Sequence, residues 1–258
     1  MKPKKTALLG AMFIGASTIV SQATITAYEG FNYTSGQNLE TQDAPSPLGV
    51  WSSGQGGTIS ASSLSYGSLI TSGRSTLSGG GGRPALGTGS SADTGGIQYV
   101  SFLGSNMGTG TTGYSFLEFR LGGTNTFGLG GSNNGNSGGN FTLETPAGFV
   151  NSTTLRDNAT NFFVVKIDYG AAGAGTDVIT WFLNPTVGGA EPVSTMTATG
   201  NFNFDDIAFA KFAGDPWTLD EVRMGTSFAS VTPVPEPSTA ALAGLAALGF
   251  AFTRRRRA

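Results

Sequence analysis

The sequence predicts an all-β protein, an antiparallel β-sandwich of jelly-roll type. Three observations carry that prediction. About a dozen short segments rich in β-formers are parted by Gly, Asn, Ser and Pro turn signals. Between residues 24 and 233 no stretch keeps a helical period over eleven residues. Glycine is very frequent, with 41 residues, which on its own suggests disorder, yet the chain holds 18 Phe, 6 Tyr and 3 Trp. A chain that packs no core does not carry that much aromatic area.

Taken in order, the first segment is not part of the sandwich. Lys2, Lys4 and Lys5 form a positive stretch, Ala7 to Val20 is apolar, and Ser21-Gln22-Ala23 ends it with small residues. That is the pattern of a secretory signal helix over residues 1–23, with the cut expected after Ala23. The body, residues 24–233, opens with Thr24 to Phe31, a strand that meets a glycine. Asn32 to Gly57 reads as a long irregular excursion, Thr58–Ala61 and Tyr66–Thr71 as short strands, and Gly73–Gly96 as loop. Ile97–Leu103 is β-rich. Tyr114–Leu121 alternates, with Leu117, Phe119 and Leu121 on one face and Tyr114, Phe116, Glu118 and Arg120 on the other.

Thr126–Leu129 and Phe141–Glu144 read as a hairpin around a Gly/Asn/Ser loop. The clearest pair is Phe162–Tyr169 with Asp177–Leu183, joined by the Gly/Ala/Thr stretch 170–176. Phe163, Val165, Ile167 and Tyr169 share one face; Ile179, Trp181 and Leu183 share another. The opposite faces are partly polar, through Lys166 and Asp168. Asp205–Phe212 and Leu219–Met224 complete the strands, and Ser227–Ser230 reads as one helical turn.

The chain closes on residues 234–258. Val234-Pro235-Glu236-Pro237-Ser238 breaks any helix. The 14 residues from Thr239 to Phe252 are apolar, and Arg254, Arg255, Arg256 and Arg257 follow. As a hydrophobic helix that run measures about 21 Å, shorter than a stable span usually needs. The arginines hold its end on the cytoplasmic side.

This order of parts resembles the PEP-CTERM sorting signal of Gram-negative bacteria. The resemblance implies a partner, an exosortase-type membrane protease that cuts near Pro-Glu-Pro. It implies transient membrane contact through the C-terminal segment, delivery to the cell surface, and company with exopolysaccharide production. A plain single-span C-terminal anchor is the alternative. Tyr28 to Tyr33, Val164 to Asp168, Thr180 to Pro185 and Leu219 to Thr226 resemble strands of concanavalin A-like, laminin-G-like jelly-roll domains. That family includes sugar binders, protein binders and purely structural members.

Charge narrows the function further. Without its two end segments the body keeps seven basic and fifteen acidic residues, a net charge of −8. This speaks against nucleic acid, whose phosphates require clustered Lys and Arg. The chain has no His and no Cys. A Ser-His-Asp or Cys-His catalytic unit cannot be built from it, nor a zinc site of the usual kind. Gly79–Gly82 runs into Arg83-Pro84, so it is a flexible connection and not a phosphate loop.

A glycoside hydrolase needs paired carboxylates. Glu118 is followed two positions on by Arg120, and Asp205-Asp206 and Asp220-Glu221 are adjacent pairs that point to opposite faces. Catalytic residues are therefore not expected. Asp205, Asp206 and Asp220 are candidate calcium ligands if their strands are neighbours. The alternative gives Asp220 a structural role on the face of Val222 and Met224, with Arg223 on the other face. No other cofactor is expected. Trp51, Trp217 and Tyr33, in loop-like stretches, are candidate carbohydrate contacts; the alternative is that the two Trp rings pack over sheet edges. The expectation is an exported, non-catalytic protein that forms a structural or adhesive part of the cell envelope or of an exopolysaccharide matrix. A lectin-like carbohydrate-binding module is the first alternative, and a glycoside hydrolase the more remote one.

Overall fold

The computed structural model describes residues 24–233 apart from Thr41, 53–56, Ile70, 72–73, 79–84, 89–95, 108–112, 133–138 and 213–216. The expected signal helix with Ala23, the glycine run 79–82 and the whole C-terminal segment lie outside the described residues.

In chain order the strands are β1 Ile25–Glu29, β2 Gly57–Ile59, β3 Thr76–Ser78, β4 Ala85–Gly87, β5 Gly96–Ser105, β6 Tyr114–Leu121 and β7 Thr124–Ser132. Then come β8 Asn140–Thr145, β9 Gly148–Leu155, β10 Asn161–Gly173, β11 Thr176–Leu183, β12 Met196–Gly200, β13 Asp206–Phe212 and β14 Thr218–Gly225. One turn of helix, α1 Phe228–Val231, follows, capped by Ser227. Every pairing is antiparallel. One sheet has eight strands, ordered β12-β11-β10-β5-β14-β3-β2, with β1 also on β14. The other has six, ordered β4-β13-β6-β7-β8-β9. The molecule is an antiparallel sandwich, as the turn spacing predicts.

Aromatic rings fill the space between the sheets. Phe102, Phe163 and Trp181 stack in a row on the eight-stranded sheet, at 4.6 and 5.9 Å between centroids. Phe119 and Phe127 stack at 4.1 Å on the other, and Phe141 meets Phe163 edge-on across the gap. Of the faces read from alternation, Leu117, Phe119, Phe163, Val165, Ile167, Ile179 and Trp181 enter this core and Tyr169 and Leu183 pack against it, while Leu121, at the end of β6, is exposed.

Three features differ from the sequence reading. Tyr66–Thr71 is not a strand where it is described. Instead β3 and β4 come from the stretch read as loop, and β9 and β12 from stretches given no strand. The outer face of the eight-stranded sheet is largely apolar: Tyr99, Leu103, Phe162, Val164 and Phe182 form a second cluster with Leu69, Phe228 and Val231, and Leu64, Tyr66 and Val187 pack on it. Residues 60–69 thus lie over the sheet as a strap.

The third difference is a bulge in β14. Glu221 has φ 56°, and the register with β5 shifts between Asp220 and Arg223. Leu219, Val222 and Met224 all enter the inner core. Asp220 therefore faces outward with Leu103, its register partner, not inward with Val222 and Met224 as strict alternation requires.

Candidate functional site

The sheet of six strands carries polar side chains on its outer face, and one end of that face bears an open groove. The β6–β7 hairpin turns through Gly122 and Gly123, both at positive φ, 57° and 79°. This is the backbone a two-residue turn of the favoured twist demands. The turn brings its amide to the start of β13. Gly122 N–H donates to both carboxylate oxygens of Asp205, at 3.0 and 3.2 Å. Next to it Arg120, opposite Asp206 in the register, donates from Nε to Asp206 Oδ1 at 2.6 Å. Val50 and Ser52 come in from the loop that covers β4, alongside Ala85 and Gly87. Together these groups line an open groove of about 440 Å³. Two carboxylates, one guanidinium, backbone amides and an exposed aliphatic residue (Val50 is 54 % exposed) suit a polyhydroxylated ligand.

Further along the same face, Tyr114 joins two carboxylates. Its hydroxyl bonds Glu118 Oε1 at 2.7 Å and also Glu144 Oε2, which accepts from Asn125 as well. Burial, then the charges of Glu118 and Glu144, push the phenol far above its ordinary pKa. Glu118 is fully buried. The cluster ties β6, β7 and β8 together.

The candidate sugar contacts are placed elsewhere. Trp51 and Trp217 have no exposed surface. Trp51 donates from Nε1 to Glu29 Oε2 at 3.2 Å and packs against Phe31. Trp217 donates to the Ala210 carbonyl at 3.0 Å and meets Phe209 edge-on. Tyr33 is half-buried, its hydroxyl on Glu29. Neither Trp offers a ring face to a sugar, which corrects the sequence expectation. Their segments are irregular, but each folds back so that its large apolar ring fills the core.

The candidate calcium ligands are also separated. Asp205 and Asp206 lie at the end of the six-stranded sheet, Asp220 in the other sheet. Asp220 is fully buried and accepts from Ser63 Oγ, Leu64 N–H and Glu221 N–H at 2.5, 2.8 and 2.8 Å. Its surroundings raise its pKa to about 7, burial outweighing these bonds. Among the described residues no three acidic side chains converge in a way that would hold a metal ion.

Sequence reasoning missed Glu29. It is buried and accepts from Phe31 N–H, Tyr33 hydroxyl and Trp51 Nε1. Burial raises its pKa more than these bonds lower it. The available signal was a carboxylate amid the aromatics of Tyr28-Glu29-Gly30-Phe31-Asn32-Tyr33.

No side chain of the groove names a biological role, but the end of the chain does: residues 233–257 match the PEP-CTERM protein-sorting motif. The chain carries a PEP-CTERM sorting signal. That signal is recognised for processing by an exosortase, and it directs export to the cell envelope or surface. Val234 to Ser238 and Arg254 to Arg257, the residues read as its motif and its basic end, fall within the match. Among the described residues no helix is long and apolar enough to cross a membrane.

No curated protein matches the chain. Solved structures align with the sandwich of this chain at low identity. The botulinum neurotoxin serotype D binding domain aligns at 10% identity and TM-score 0.42, over 77% of this chain and 49% of that one. The Trypanosoma rangeli sialidase aligns at 11% and 0.45, over 88% and 35%. A glycosyl hydrolase family 16 protein from Mycobacterium smegmatis aligns at 13% and 0.40, over 78% and 100%. The chain thus spans about half the length of the toxin domain and about a third of the sialidase.

Proposed function

We propose that this protein is a non-catalytic structural or adhesive component of the cell envelope or of an exopolysaccharide matrix. The observation that carries the reading is the PEP-CTERM signal at residues 233–257. An exosortase-type protease releases the sandwich from the C-terminal segment and passes it outward. The body supports the reading by its chemistry. It lacks His and Cys and bears a net charge of −8, so it stays soluble and gives no grip to nucleic acid. Deleting the gene should alter surface polymer, cell adhesion or aggregation. A deletion strain unchanged in all three would count against the reading.

A second reading, a lectin-like module, is favoured by the groove beside Arg120, Asp205 and Asp206. Their donors and acceptors pair with vicinal hydroxyls, and Val50 gives the flat side of a sugar ring an apolar rest. A glycan array probed with the purified protein tests it, and an array without hits removes it.

A further inference from the structure

Five strands have one side without a neighbouring strand among the described residues: β1, β2, β4, β9 and β12. Open edges invite pairing with other chains, and natural sheets blunt them with short strands, bulges, inward charges or covering loops. Four of the five are managed in this way. The register of β1 slips between Ile25 and Ala27, and the strand carries the buried Glu29. β2 has three residues, and its outer side is taken by the 36–39 loop through Leu39 N–H to Gly57 O and Ile59 N–H to Gln37 O. β4 is equally short and is covered by the 49–52 loop through Gly49 N–H to Gly87 O and Ser52 N–H to Ala85 O. β9 is bulged, its register slipping between Asn140 and Thr142, and the Ser152 hydroxyl bonds the Thr154 amide and carbonyl.

Among the described residues β12 has none of these devices. Its five residues pair with β11 in unbroken register, from Asp177 opposite Gly200 to Trp181 opposite Met196. Met-Thr-Ala-Thr-Gly contains no charge, no Pro and no bulge. Met196 and Ala198 face the core, while Thr197 and Thr199 are exposed.

We propose that β12 is a dimerisation edge, occupied by β12 of a second copy of this chain in antiparallel register about Ala198. The occupant follows from the strand itself. A two-fold axis at Ala198 sets Thr197 opposite the second copy's Thr199 and Met196 opposite its Gly200. Core-facing residues then meet core-facing ones, and threonines form the cross-strand pairs that stabilise such ladders. Two bodies of charge −8 repel each other, and no charged residue lies between Glu191 and Asp205. The edge is therefore a place where they approach without setting like charges face to face. Two eight-stranded sheets become one continuous sheet. The two-fold uses up the edge, so assembly closes at the dimer.

The chain has no cysteine, so Ala198→Cys reports the geometry directly. Directly opposed strand positions are at disulfide distance. The processed protein recovered from its host's surface should form a disulfide-linked dimer with Ala198→Cys under mild oxidation. Thr153→Cys, on the blunted β9, should form no disulfide-linked dimer. The wild-type protein should show a concentration-dependent dimer in sedimentation, weakened roughly tenfold or more in T197K/T199K, which sets like charges opposite each other. Both positions are exposed, so melting of the dilute monomer should be unchanged. A monomeric Ala198→Cys variant, or a wild-type protein that sediments as a monomer at every concentration, overturns the proposal.

Discussion

On its outer side the eight-stranded sheet presents Tyr99, Leu103, Phe162, Val164 and Phe182, whereas the six-stranded sheet presents Tyr114, Glu118, Arg120, Glu144 and Asp206. The first face is sealed. The strap 60–69, Val187 and α1 lie on it, and Asp220 clasps the strap at Ser63 and Leu64. The second face holds the groove. Both faces have the same pleated backbone, so side-chain chemistry alone separates a surface that buries apolar area from one that offers polar groups. The sealed face is a second core and resists substitution, whereas on the polar face Glu118 is buried and only the end at Arg120, Asp205 and Asp206 opens to solvent.

The largest expected effect tests whether the seal is a core in energetic terms. Phe162 is 1% exposed and packs against Tyr66 of the strap at 5.4 Å. Phe162→Ala should cost about 3–5 kcal/mol in denaturant unfolding, comparable to Phe163→Ala in the inner core. A loss below about 1 kcal/mol would show that the strap lies loosely on the sheet, and the contrast between the two faces would collapse.

Next comes the clasp, which makes stability depend on pH. The pKa of Asp220 is raised from 3.8 to about 7, mainly because burial penalises its charged form. The folded state thus holds a proton that the unfolded chain has lost between those values. The stabilisation is complete below about pH 4 and is lost as pH rises through about 7. Unfolding free energy should fall by about 1 kcal/mol per pH unit across that window. Burial raises the pKa of Glu29 too and adds to the trend. Asp220→Asn should flatten part of the slope. A variant with the slope intact would move its origin away from the clasp.

Much of this architecture was legible in the sequence because it is local. β6 matches the alternating stretch Tyr114–Leu121 residue for residue, and the β10–β11 hairpin announces itself by two apolar faces around a Gly-rich turn. What was not legible depends on distant partners. β3, β4, β9 and β12 are edge or near-edge strands of mostly small and polar residues, and only a neighbouring strand makes them β. Tyr66–Thr71 reads as a short strand, but Tyr66 and Leu69 pack on a sheet face that lies far away in sequence.

The bulge at Glu221 has no local signal, since a non-glycine residue at positive φ is held there by its surroundings. That single displacement moved Asp220 to the outer face. Of the candidate site, Asp205 and Asp206 were singled out only as calcium candidates; the groove they line, with Arg120 as the partner that the register supplies, was not read. Trp51 and Trp217, singled out as sugar contacts, do not line it and are buried instead, because irregular backbone says nothing about whether a ring points in or out.

The smallest effect on stability, and the sharpest on binding, belongs to Arg120. Its ion pair with Asp206 is partly open to water, with side chains 13% and 18% exposed. Removing one partner of such a half-shielded pair costs about 1–3 kcal/mol, so Arg120→Ala should shift melting by roughly 2–10 °C, less than Phe162→Ala. The same change removes the only cation of the groove among the described residues and frees Asp206. Any glycan retained by the wild-type protein should then be lost or weakened about tenfold, as expected for a bond to a charged donor. If retention survives while the fold is intact, the ligand sits elsewhere. If melting falls as far as in Phe162→Ala, the polar face is structural after all, and the two faces differ in chemistry but not in role.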